Sequence, residues 1–148
     1  KADPAVFRSS TGEWLILRSS DGESQIVVFG QEGDFPVPAD YDGDNLTDIA
    51  VYRNGIWYLL QSKAGFAAVT FGLGLETDIP VPADYDGDGK ADIAVFRRTD
   101  GVRYSLNSSS GQFSAVPFGQ SGDIPVPGDY DADGRIDRAV YRDGTWYI

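Results

Sequence analysis

Asp84-Tyr85-Asp86-Gly87-Asp88-Gly89-Lys90-Ala91-Asp92 sets carboxylates at the first, third, fifth and ninth positions of one short stretch. The same spacing returns at Asp40, Asp42, Asp44 and Asp48 and at Asp129, Asp131, Asp133 and Asp137, with intervals of 44 and 45 residues. Acids at alternate positions of a tight loop converge on one point, and a hard cation such as Ca²⁺ takes roughly six to eight oxygen ligands at about 2.3–2.6 Å. The sixth position has to turn through positive φ, and Asn45, Gly89 and Gly134 are residue types that tolerate that region. The seventh-position carbonyls of Leu46, Lys90 and Arg135 complete each predicted ligand set. A single Asp-Gly-Asp cluster reads equally well as a solvated turn. Three copies in register favour metal, because four carboxylates packed together repel one another and a cation removes that conflict. The expectation is three Ca²⁺ sites.

The residues outside the loops decide what the loops connect. A helix-flanked calcium loop closes with a bidentate Glu at position 12. Here position 12 is Val51, Val95 or Val140, inside an apolar run, so strands are expected on either side. Three such runs recur, at 49–53, 57–60 and 68–72, followed by 79–83 and the next acidic loop. They are short, rich in β-branched and aromatic residues, and bounded by Gly, Asn, Asp or Ser, which is strand chemistry. Asn54-Gly55 and Asp143-Gly144 are strong hairpin signals. No stretch shows a helical period. A four-stranded unit repeated at this interval predicts an all-β, β-propeller-type array of about three and a third blades, incomplete as a single chain. We read residues 1–148 as one repeat domain, in units at about 3–47, 48–91 and 92–136 with a partial unit at 137–148.

Pro-Val-Pro stands at 36–38, 80–82 and 125–127, before each loop. Proline cannot donate to a ladder, so these segments are placed on the innermost, short edge strand. The small residue that follows, Ala39, Ala83 or Gly128, is expected to let neighbouring blades crowd together. Arg8, Arg53, Arg97 and Arg142 share one phase; they line a ligand surface or, as we favour, bridge the acids Asp34, Asp78 and Asp123. Trp14, Trp57 and Trp146 share another phase, with Arg103 in the third unit, and core packing is preferred to sugar stacking.

The run from Phe71-Gly72 through Thr77-Asp78-Ile79-Pro80-Val81-Pro82-Ala83 into the loop ending at Asp92 resembles the FG-GAP or VCBS-type repeat of integrin-α-like β-propellers. Copies starting at Phe29-Gly30 and Phe118-Gly119 extend the resemblance over nearly the whole chain. It implies that the twelve loop aspartates bind calcium between strands. Asn45, and Ala132 where the other copies have Gly43 and Gly87, depart from the pattern without removing a ligand.

Charge and composition agree. Twelve of the 23 acidic residues are these loop aspartates, and three calcium ions, carrying six positive charges, bring the formal net charge from −11 to −5. No basic patch is present to neutralise phosphates, so nucleic acid is not an expected partner. No apolar stretch approaches the length of a membrane span. With no His and no Cys, and with the carboxylates spoken for, no enzyme is expected. An extracellular location is expected because weak calcium modules stay filled only where the ion is abundant.

Lys1-Ala2-Asp3 aligns with Lys90-Ala91-Asp92, and Trp146-Tyr147-Ile148 with Trp57-Tyr58-Leu59. The first unit therefore lacks an inner strand and the last an outer one. Open edges and too few blades to close a ring lead us to expect association with further copies of the chain, or with adjacent repeats of a longer array, by strand addition. The functional expectation is a structural or adhesive module; the alternative is a lectin-like module with carbohydrate at the blade interfaces.

Overall fold

Short β-branched and aromatic runs separated by Gly, Asn and Asp form strands and turns throughout. The computed structural model describes residues 3–148 as fourteen strands in four antiparallel sheets, with no helix among the described residues. The alignment drawn for Lys1 and Ala2 lies outside the described residues. The first sheet holds β1 (Ala5–Arg8), β2 (Glu13–Leu17) and β3 (Ser24–Val28). The second holds β4 (Phe35–Pro36), β5 (Ile49–Arg53), β6 (Ile56–Gln61) and β7 (Gly65–Thr70). The third holds β8 (Asp78–Pro80), β9 (Ile93–Arg97), β10 (Val102–Leu106) and β11 (Phe113–Pro117), and the fourth β12 (Ile124–Pro125), β13 (Val140–Arg142) and β14 (Thr145–Tyr147). Strands follow one another in space as in sequence, and no sheet closes on itself.

The hairpin signals act as their chemistry requires. Asn54 and Gly55 take φ of 49° and 81°, and Asp143 and Gly144 take 48° and 87°, so both central residues are left-handed and the turn twist matches the strands. The first proline of each Pro-Val-Pro segment ends an edge strand, as expected, and the valine that follows supplies the missing donor: the Val37, Val81 and Val126 amides donate to the carbonyls of Ala50, Ala94 and Ala139 at 2.8–2.9 Å. This strand lies before the acidic loop in sequence yet pairs with the strand after it. Every loop therefore bridges two neighbouring strands of one sheet.

The recurrent arginines anchor these edges. Arg97 donates through Nε and Nη2 to the two oxygens of Asp78 at 2.9 and 3.2 Å. Arg142 grips Asp123 in the same way at 2.5 and 2.6 Å, and Arg53 grips Asp34, with Nη2 to Oδ2 at 2.7 Å. The bridging role is the one the geometry bears out. The three acids are buried, and the Arg142 guanidinium holds the Asp123 carboxyl below the usual carboxylate range. Each arginine also covers a tyrosine ring, Tyr58, Tyr104 or Tyr147, at 4.3–4.7 Å. Arg8 pairs instead with Glu13 at 2.7 Å.

The core lies between sheets. Val37, Tyr41, Ala50, Tyr52, Trp57 and Leu59 of the second sheet and its loop pack on Ala91, Ile93 and Val95 at the third. Val81, Ala94 and Phe96 then pack on Val140 of the fourth. Trp57 and Trp14 are buried, and their indole N–H groups donate to the carbonyls of Phe71 and Phe29, while Trp146 is exposed. Full burial of one such side chain stabilises by about 1.5–3 kcal/mol. At Trp14 and Trp57 the reading as core holds.

Candidate metal centre

Each acidic loop is closed at its base by an isolated bridge. The amides of Asp48, Asp92 and Asp137 donate to the carbonyls of Ala39, Ala83 and Gly128 at 2.8–2.9 Å. The small residues expected to relieve crowding thus sit at the loop's neck. Within the loop the first aspartate gathers the turning amides: Asp40 accepts from Gly43 at 2.6 Å and Asn45 at 2.7 Å, and Asp84 from Gly87 at 2.6 Å and Gly89 at 2.8 Å. Asp129 accepts from Gly134 at 3.2 Å. Position 6 is left-handed as expected, at 66° for Asn45, 85° for Gly89 and 88° for Gly134. Position 4 is left-handed too, at 79° for Gly43, 82° for Gly87 and 63° for Ala132. Two left-handed residues one apart wind the loop tightly enough to turn alternate side chains inward.

Three carboxylates of each loop converge. Oxygens of Asp40, Asp42 and Asp48 lie within 4.8 Å of one another, as do those of Asp84, Asp86 and Asp88 and those of Asp129, Asp131 and Asp137. Asp44, Asp92 and Asp133 stand outside these groups. Asp44 instead accepts from the Leu46 amide and the Ser62 hydroxyl, and Asp92 from the amides of Tyr85 and Ser108. At position 7 the amides of Leu46, Lys90 and Arg135 donate to Asp44, Asp88 and Asp133 at 2.8–2.9 Å.

The donor set fits a hard cation. Asp42 Oδ2 accepts from the Lys63 and Ala64 amides, each at 2.9 Å, whereas its Oδ1 is buried without a donor. A buried carboxylate oxygen left unpartnered is costly, and a cation held with Asp40 and Asp48 relieves it. Burial pushes the Asp42 carboxyl upward, but the hydrogen bonds from the Ala64 and Lys63 amides outweigh that and keep it below the ordinary range. Burial raises the Asp92 carboxyl, and the neighbouring Asp86 adds to the effect. An inner acid destabilised by its neighbour is the situation a bound divalent ion corrects.

Sequence reasoning missed the serines behind the loops. Ser62 donates its amide to Asp48 at 2.7 Å and its hydroxyl to Asp44 at 2.7 Å. Ser108 does the same to Asp92 and Asp88 at 2.7 and 2.9 Å, and the Ser109 hydroxyl reaches Asp86 at 2.6 Å. Ser19, Ser62 and Ser108 follow the second long strand at one phase. That recurrence was the available signal. The Ser19 amide donates to Asp3 as those of Ser62 and Ser108 do to Asp48 and Asp92.

Successive loops are joined. The Ala91 amide donates to the Asp40 carbonyl at 2.7 Å and the Ile136 amide to the Asp84 carbonyl at 2.9 Å. Lys90 lies over Gly43 and Arg135 over Gly87, so closely that a Cβ at either glycine would meet the cationic side chain at 2.9–3.0 Å. The loops therefore form one connected row along the sheet edges, with a cation from each lying across the one before.

Residues 40–95 and 84–140 match the FG-GAP-like repeat family in two overlapping copies, more than half of the chain. No curated protein and no solved structure matches it.

Proposed function

The chain belongs to the FG-GAP-like repeat family, and we propose that it is a non-enzymatic, calcium-binding structural repeat module of the extracellular space. The observation that carries this reading is the threefold gathering of carboxylate oxygens within 4.8 Å, with Asp42 Oδ1 buried and unpartnered in one of them. In each loop the three converged aspartates hold the ion, the carbonyl of Leu46, Lys90 or Arg135 adds a ligand, and Asp44, Asp92 and Asp133 complete the shell directly or through water. Bound calcium neutralises acids that otherwise repel one another and stiffens the row of joined loops. The sheets stand as blades of a β-propeller-type array, and strand addition at exposed edges brings in further repeats or further copies of the chain. The absence of His and Cys from the sequence supports a non-enzymatic role. Carbohydrate stacking draws no support from Trp14 and Trp57, whose rings are buried.

Calorimetric titration of the chelator-treated chain tests the reading. Three binding events are expected, and three sites filled at about ten times their dissociation constants add roughly 4 kcal/mol to stability. Asp86→Ala should weaken calcium binding and lower Tm together. Identical melting in calcium and in chelator overturns the assignment. Light scattering in the same two conditions tests assembly: a mass that does not exceed one chain at any concentration in calcium removes that part of the proposal.

A further inference from the structure

The interface between the third and fourth sheets carries arginine at strand positions where the preceding interface is apolar. Arg103 faces Phe96 across β9 and β10 as Trp57 faces Tyr52 across β5 and β6, and Ser105 faces Ala94 as Leu59 faces Ala50. Arg138 follows the last acid of its loop, the place that Ile93 holds one repeat earlier. Two guanidinium groups and a hydroxyl thus replace a tryptophan, an isoleucine and a leucine.

Arg103 is only 6% exposed, and its guanidinium carbon lies 3.7 Å from the centroid of the Tyr85 ring. Its Nε and Nη1 are buried with no hydrogen-bond acceptor among the described residues. Neither Arg103 nor Arg138 is ion-paired with a described carboxylate. Asp92 acts on Arg103 through space but is committed to the amides of Tyr85 and Ser108, and the Arg138 charge opposes that of Arg103. Both arginines line one cavity with Tyr85, Phe118, Pro125 and Val140. It offers about 20 Å³ to the centre of a water-sized sphere, above the roughly 10–15 Å³ that one water requires.

Water can accept from Nε and Nη1 but cannot neutralise the buried Arg103 guanidinium, and buried charge without a paired counter-charge is strongly disfavoured; Arg138 is exposed and stands at the rim. We propose that this cavity binds a monatomic anion of the halide class, held by an unpartnered N–H of the buried Arg103 guanidinium with the exposed Arg138 as a second cation at the rim. The ion does for this interface what Trp57 does for the one before it. The inference does not rest on calcium at the loops.

The test is thermal unfolding of the whole chain at constant ionic strength and saturating calcium gluconate, in sodium chloride, bromide or gluconate. Chloride and bromide are expected to raise Tm by several degrees over gluconate, with an effect that saturates, and the chain should broaden the ³⁵Cl NMR line until bromide competes it away. Arg103→Trp should abolish the halide dependence, and Arg138→Ile should weaken it. If Arg103→Trp does not fold, the wild-type line broadening and its reversal by bromide carry the test alone. Equal melting in chloride and gluconate with no broadening overturns the proposal, as does a halide dependence unchanged by Arg103→Trp. Stabilisation by acetate but not by chloride also overturns it, since the site then takes a carboxylate.

Discussion

The second and third sheets meet over tryptophan, tyrosine and leucine, while the third and fourth meet over arginine, phenylalanine and serine, on the same strand register. What both interfaces share is backbone and ion-pair architecture: the bridge at each loop neck, the loop-to-loop amide bond and the Arg–Asp clamp recur unchanged. The repeat is thus held together by parts common to both interfaces. Side chains between sheets are left free to diverge, and Trp57 and Arg103 have diverged to opposite chemistries.

The largest expected effect breaks the comparison at its centre. Trp57→Ala should cost about 3–5 kcal/mol, because a fully buried ring leaves a cavity as well as lost transfer energy. In gluconate, without halide, Arg103→Ala should cost far less, since it also removes buried donors that lack acceptors. Urea unfolding of both variants in calcium measures the difference; equal losses would mean that the interfaces are energetically alike.

A smaller effect sharpens the contrast between Tyr52 and Phe96. The Tyr52 hydroxyl accepts from the Gly74 amide at 3.0 Å, in a connection two residues longer than the one from Phe118 to Asp123. Tyr52→Phe should leave that amide unpaired and cost about 1–2 kcal/mol, with Gly74 exchanging faster in amide hydrogen exchange. No change in either would show that the longer connection does not depend on the hydroxyl.

The smallest effect compares the loops. Ala132 sits at φ 63° where Gly43 and Gly87 stand in the other two. Ala132→Gly should stabilise by about 1 kcal/mol through relief of left-handed strain. Gly87→Ala should destabilise, because the new Cβ would approach Arg135 Nε at 2.9 Å in addition to the strain. Melting curves in calcium report both signs.

Much of the fold was legible because the deciding forces are local. Asn54-Gly55 and Asp143-Gly144 select left-handed hairpin turns whatever surrounds them, and a proline on either side of Val37, Val81 and Val126 leaves one donor and hence an edge. The fixed phase of Arg53, Arg97 and Arg142 against Asp34, Asp78 and Asp123 revealed the clamp before any distance was measured. The serines behind the loops stayed hidden, since hydrogen bonds such as Ser109 to Asp86 span 23 residues and look like turn chemistry in sequence.

By itself the sequence determined the strands, the turns, the repeat and the acidic loops, because propensity, turn chemistry and the spacing of like charges act over a few residues and need no partner. Only the tertiary structure decided which three of each loop's four aspartates converge, which carboxylate oxygen is buried without a donor, and that Arg103 and Arg138 line one cavity between two sheets. Those outcomes depend on burial and on contacts between distant segments, and neither is set until the sheets have packed.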